Sequence, residues 1–159
     1  MTDFQGTARA PERLRVAVIV TRYHELVTGK LLEGARRALR DAQVPDANVD
    51  VVWVPGAFEL PVAAEAAAAT GRYAAIVALG CVIRGETPHF DFVAGEAARG
   101  LGNVALAHRL AVGFGLLTTE TQAQALARAG GAAGNKGQEA AEAALATADV
   151  LFRLTRATS

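Results

Sequence analysis

The sequence predicts a three-layer α/β/α sandwich on a central four-stranded parallel sheet, preceded by an N-terminal arm. Three observations predict it. Segments rich in β-branched residues alternate with segments of helical spacing along the chain. The run from Ala74 to Ile83 is almost continuously apolar, as a central parallel strand covered on both faces requires. The chain is 159 residues long, which suits one domain and leaves little room for a second core.

Residues 1–12 carry Gly6, Pro11 and little periodicity and read as the arm; residues 13–159 read as a single α/β domain. Leu14 to Val20 is the first strand. Leu26 to Gln43 has helical spacing, with Val27, Leu31, Ala35, Ala38 and Ala42 on one face. Val49 to Val54 is the second strand, closed by Pro55-Gly56. Glu59 to Thr70 is an Ala-dense helix, and Gly71 suits its C-terminal cap. After the third strand, Thr87 fits an N-cap and Pro88 the first position of a helix running to about His108. Ala111 to Thr118 is the fourth strand. Thr119-x-x-Gln122 resembles a capping box for a helix that stops at Gly130. Gly130 to Gly137 is a Gly-rich loop. Asn135-x-x-Gln138 caps a last helix to about Arg156, with Ala141, Ala144, Leu145, Ala148, Leu151 and Phe152 as its buried stripe.

Composition excludes several classes. The apolar fraction is 52%, too high for a disordered chain, although 36 of the residues are Ala. Sixteen Lys and Arg balance sixteen Asp and Glu, and no basic run is long enough to track a nucleic acid. Zero net charge is compatible with self-association. Cys81 is the only cysteine, so neither a disulfide nor a thiolate metal cluster is expected. No apolar signal region opens the chain and no run is long enough to span a membrane, which makes a cytoplasmic, soluble protein the expectation.

In open parallel sheets, ligands sit outside the carboxyl ends of the strands. Four loops therefore matter. The first, Thr21 to Glu25, has no Gly-rich phosphate signature. Its Tyr23 is either a stacking platform for a planar heterocycle or a partly buried plug. The second runs through Pro55, Gly56, Ala57, Phe58 and Glu59. The third, Arg84 to His89, offers the Glu86 and Thr87 N–H groups at a helix N-terminus, which binds phosphate readily. His89 falls in that helix's first turn. The helix dipole disfavours its imidazolium and a bound phosphate favours it, so the residue suits a proton shuttle; a solvated structural histidine is the plainer reading. Asp91 suits the dipole. The fourth loop is Thr118 to Glu120. Further on, Arg128 is a helix C-terminal cation or a phosphate clamp. Lys136 has only glycines and Asn135 beside it, which would let a ligand approach. Phe114 lies between Gly113 and Gly115 and packs in the core or lines a site. Cys81 and His108 look structural.

The string Gly80-Cys81-Val82-Ile83-Arg84-Gly85-Glu86-Thr87-Pro88-His89-Phe90-Asp91-Phe92 closely resembles the signature of the lumazine synthase family. Val54 to Pro61, Phe114 to Thr118, Arg128 to Gly130 and Gly134 to Gly137 resemble that family's other motifs, in order. The resemblance implies a flavodoxin-like fold and the penultimate step of riboflavin biosynthesis. There, 5-amino-6-(D-ribitylamino)uracil condenses with 3,4-dihydroxy-2-butanone 4-phosphate, giving 6,7-dimethyl-8-ribityllumazine with release of phosphate and water. It implies no cofactor and no metal. Residue by residue, it implies that Tyr23 stacks on the pyrimidine and that Ala57, Phe58 and Glu59 hold the ribityl chain. Backbone groups of Cys81, Val82 and Ile83 would meet the uracil edge. Glu86 and Thr87 amides with Arg128 would bind phosphate, and His89 would move protons.

The same resemblance implies a homopentamer whose sites lie between neighbours, with Phe114 and Lys136 supplied from the adjacent subunit. It also implies pentamers able to close into a 60-subunit icosahedral capsid, and a riboflavin synthase partner. Tyr23, where the family has Phe or Trp, adds a hydroxyl, and Glu86 brings a negative charge to the phosphate loop. Two other readings compete: a flavin-holding module without catalysis, and a shell protein that has lost activity. The first gives His89 and Arg128 no joint role, and the intact His89, Arg128 and Lys136 oppose the second.

Overall fold

A computed structural model describes residues 1–8 and 14–157. Residues 9–12 of the expected arm and residue 13 lie outside them. The elements run β1 (Val16–Thr21), α1 (Glu25–Asp41), β2 (Val49–Val54), α2 (Leu60–Ala69), β3 (Ala75–Ile83), α3 (His89–His108), β4 (Ala111–Thr119), α4 (Gln122–Ala127), β5 (Ala129–Gly131), β6 (Gly134–Asn135) and α5 (Lys136–Ala157). β1 to β4 form one parallel sheet in the order β2-β1-β3-β4.

Strand periodicity builds the layers. On β1, Val16, Val18 and Val20 point into a core shared with α1 and α5, while Ala17 and Ile19 point into a second core shared with α2 and α3. Every residue of β1 is buried, as its run of five apolar residues ending at Thr21 requires. The sheet and its two helical layers are the predicted three-layer sandwich. Small residues set the layer spacing. A Cβ at Gly113 of β4 would sit 2.2 Å from the Ala140 carbonyl oxygen, so α5 rests directly on the strand backbone. The Ala content thus serves close packing between layers.

Several local expectations shift. α3 begins at His89 with Pro88 at its N-cap, and no side chain caps it; Thr87 stands one residue too early to do so. At α4 the cap is Thr121, whose Oγ1 accepts from the Gln124 N–H at 3.1 Å. Thr119 is still in β4, and its hydroxyl donates to the Thr121 carbonyl at 2.9 Å, so the expected cap moves two residues along and the Gln124 side chain, which accepts from the Glu120 N–H, closes no box. α4 stops at Ala127 rather than Gly130, because Arg128 already leaves the helical conformation. The stretch read as a Gly-rich loop holds a tight antiparallel hairpin of β5 and β6, with Gly130 and Gly134 at positive φ. Asn135 caps α5 as expected, its Oδ1 accepting from the Gly137 and Gln138 N–H groups.

In the arm, Gly6 lies against the Ala146 carbonyl of α5. The Thr7 N–H and hydroxyl both donate to Asp149 Oδ2, at 2.9 and 3.2 Å. No described helix is long and apolar enough to cross a membrane.

Candidate active site

The strand order places a switch between β1 and β3: the chain leaves β1 for β2 on one side and returns to β3 on the other. α1 covers one face and α3 the other, which opens a crevice at the carboxyl ends of these strands. That crevice holds a cleft of about 550 Å³. Tyr23 lines it from the first loop, and Gly56, Ala57, Phe58 and Glu59 from the second. His89, Phe92, Val93 and Glu96 line it from one face of α3. Tyr23, Phe58 and Phe92 are 65%, 60% and 71% exposed, so three large rings at one rim have no partner filling them in this chain.

Tyr23 is aimed by its backbone. Its N–H donates to the Pro55 carbonyl at 3.0 Å, and the next residue, His24, adopts the left-handed conformation at φ 60°. That turn starts α1, whose Thr28 hydroxyl ties back to the Thr21 carbonyl at 2.7 Å in the buried interior. The Tyr23 ring lies across Gly56, where a Cβ would come within 2.6 Å of the ring, so a side chain there would displace the ring. Glu59 accepts from the Gly56 N–H through Oε2 at 2.9 Å. Oε1 remains for a ligand hydroxyl, and Oε2 keeps a second lone pair.

Cys81 is buried, and that burial pushes its thiol up to about 11. The side chain is therefore neutral and no nucleophile near neutral pH. With Val82 and Ile83 it forms the end of β3, paired in register with Leu117, Thr118 and Thr119. Glu86 and Thr87 are exposed on the loop before α3, and His89 opens that helix. Asp91, expected to suit the dipole, also pairs with Arg84.

The remaining expected residues stand apart from this cleft. Phe114 on β4 is 51% exposed, which excludes the core reading. It lines a separate apolar groove with Ala98, Leu101 and Ala105 of α3. Arg128 donates to the Gln124 carbonyl at 3.0 Å, and its own carbonyl accepts from the Lys136 N–H at 2.9 Å. The Lys136 ammonium pairs with Glu139 at 2.6 Å. Tyr23, Phe58, Glu59 and His89 are thus brought together; Phe114, Arg128 and Lys136 do not line that cleft.

Sequence reasoning missed Gly56, Phe92, Val93 and Glu96 as cleft residues. The last three follow His89 by three, four and seven positions, so helical spacing from His89 was the available signal. Glu96 is held charged by a hydrogen-bonded pair with Arg99, which keeps its carboxyl below the ordinary range. Among the described residues, no three His, Cys, Asp or Glu side chains converge as a metal site would require.

A family model described as 6,7-dimethyl-8-ribityllumazine synthase matches residues 13–151. The chain belongs to the 6,7-dimethyl-8-ribityllumazine synthase family. A 6,7-dimethyl-8-ribityllumazine synthase from Edwardsiella ictaluri (strain 93-146) is 55% identical over 152 residues, spanning 95% of this chain and 97% of its own. Membership of the lumazine synthase family makes the chain an enzyme of riboflavin biosynthesis and accounts for the parallel sheet with helices on both faces.

Proposed function

We propose that the cleft between Tyr23, Phe58, Glu59 and His89 is the part of the synthase site that one chain supplies. A neighbouring subunit completes it with Phe114 and Lys136. The observation that carries this reading is the division itself: one chain exposes three unpartnered rings at the cleft, and its Phe114 faces a different groove.

The 5-amino-6-(D-ribitylamino)uracil stacks on Tyr23, sets its ring edge against the backbone of Cys81, Val82 and Ile83, and lays its ribityl chain along Ala57, Phe58 and the open oxygen of Glu59. The phosphate of the butanone lies against the Glu86 and Thr87 amides and Arg128, where the N-terminus of α3 favours negative charge. The amine attacks the ketone, and the departing water takes a proton. A proton then leaves carbon as phosphate is expelled, and ring closure releases water again. His89, beside the phosphate, carries these protons, and holding two reactants together supplies much of the remaining acceleration.

The working unit is a homopentamer in the cytoplasm. Exposed Phe58, Val62, Phe92 and Phe114 support burial against a neighbour. The short 130–136 connection resembles that of members whose pentamers close into a 60-subunit shell, within which a riboflavin synthase would be the partner. Sedimentation separates pentamer from shell.

Complementation tests the composite site. Tyr23→Ala and Phe114→Ala each weaken every site of a homo-oligomer. Random co-assembly of the two leaves about a quarter of the junctions with both intact residues. Lumazine formation, followed by its fluorescence with phosphate release, should recover toward that fraction. Activity no higher than the mean of the two parents would sink the shared site.

A further inference from the structure

We propose that Arg84 is a positioning residue that holds the two halves of the phosphate site, the 85–89 loop and Arg128, in register with each other. The inference rests on the phosphate assignment made above.

α3 starts without a side-chain cap, and Glu86 and Thr87 are exposed, so the loop needs an anchor of another kind. Arg84 supplies it. Its N–H donates to the Thr119 carbonyl at 2.9 Å, extending the β3–β4 pairing by one residue. Its guanidinium meets Asp91 as a fork, at 3.2 Å to Oδ1 and 3.4 Å to Oδ2, and covers the Phe90 ring at 4.3 Å. Both contacts are to residues directly after His89, so the turn bearing His89 is held from beneath. The Nε of the same group donates to Glu120 at 3.1 Å.

From Glu120 the connection continues. The Glu120 N–H donates to Gln124 Oε1 at 2.9 Å, and the Gln124 carbonyl accepts from Arg128 at 3.0 Å. One guanidinium therefore joins the first turn of α3 to the cation after α4. A lysine would put one point charge where this arrangement uses a planar fork and a stacked face.

Steady-state kinetics with each substrate varied in turn tests the role. Arg84→Gln should raise KM for the butanone phosphate about tenfold and leave KM for the ribitylaminouracil within about twofold. Arg84→Lys should recover less than half of that loss. Glu120→Gln should give a smaller rise in the same constant and add little to Arg84→Gln. Thermal melting should stay close to the parent. An equal rise in both KM values, or a rise only in variants that melt much earlier, would overturn the positioning role. Arg128→Gln is the reference. If it raises KM for the butanone phosphate and Arg84→Gln does not, the phosphate reading stands and the Arg84 role falls. If neither variant moves that constant, both fall together.

Discussion

The two ends of the parallel sheet carry similar residue types and use them oppositely. At the amino end, Arg15, Tyr73 and Arg72 all turn to Asp50 Oδ2, at 2.9, 2.7 and 3.4 Å. Arg15 also reaches the Ala47 carbonyl, so β1, β2 and the segment before β3 are tied at one point. At the carboxyl end, Tyr23, Phe58 and Phe92 stand exposed around a cleft, and His89 opens a helix that no side chain caps. One tyrosine is committed by its hydroxyl to the protein, and the other leaves its ring exposed at the cleft. With the function proposed above, the difference predicts that variants at the two ends affect different observables.

The largest effect belongs to the open end. His89→Ala should lower kcat by about a hundredfold, the lower limit for a lost general acid–base, because positioning of the two reactants survives. Its melting temperature should match the parent, since the side chain is exposed. A loss of substrate binding in that variant would count against proton transfer as its role. Tyr23→Ala comes next. Removing a stacking face should raise KM for the ribitylaminouracil about tenfold, again without lowering thermal stability. A variant that melts early would mean that Tyr23 plugs the cleft.

How much of this contrast the chain reveals before folding depends on range. The strands and long helices follow from periodicity, and the four loops at the carboxyl end follow from the parallel topology, so Tyr23, Glu59 and His89 were legible. Phe92, Val93 and Glu96 were legible only through helical spacing from His89, because their place depends on which face of α3 meets the second loop. Phe114 was ambiguous. Val112, Phe114 and Leu116 share one face of β4, yet only Leu116 is buried there; where α3 ends its cover is a tertiary matter. The β5–β6 hairpin was unreadable because strands of three and two residues, mostly glycine, carry no periodicity. Conversely, the Asp50 cluster joins residues from three separate segments, and nothing local announces it.

At that closed end the effect should be on stability alone. Asp50→Ala removes one acceptor from three donors. Because the carboxylate is 36% exposed, solvent screening holds the loss to about 1 kcal/mol. That corresponds to a fall of roughly 2–4 °C in melting temperature. Kinetic constants of the folded protein should not change, and an altered KM would contradict the separation of the two ends.

The smallest effect is the pH dependence of that same difference, and its sign is fixed on both sides. The Tyr73 hydroxyl and Arg15 hold the Asp50 carboxyl below its ordinary value, and Asp50 in turn raises the Tyr73 hydroxyl above its own. A depressed carboxyl stabilises the fold above its unfolded pKa, about 4, and the contribution is lost as pH falls through the lower folded value. A raised phenol stabilises below its unfolded pKa, about 10, and loses that contribution as pH climbs through the higher folded value. The gap in melting temperature between the parent and Asp50→Ala should therefore be flat from about pH 5 to 9 and narrow on either side. A gap that persists unchanged to pH 2 would assign the stabilisation to packing around Tyr73 and remove the ionic tie from the amino end.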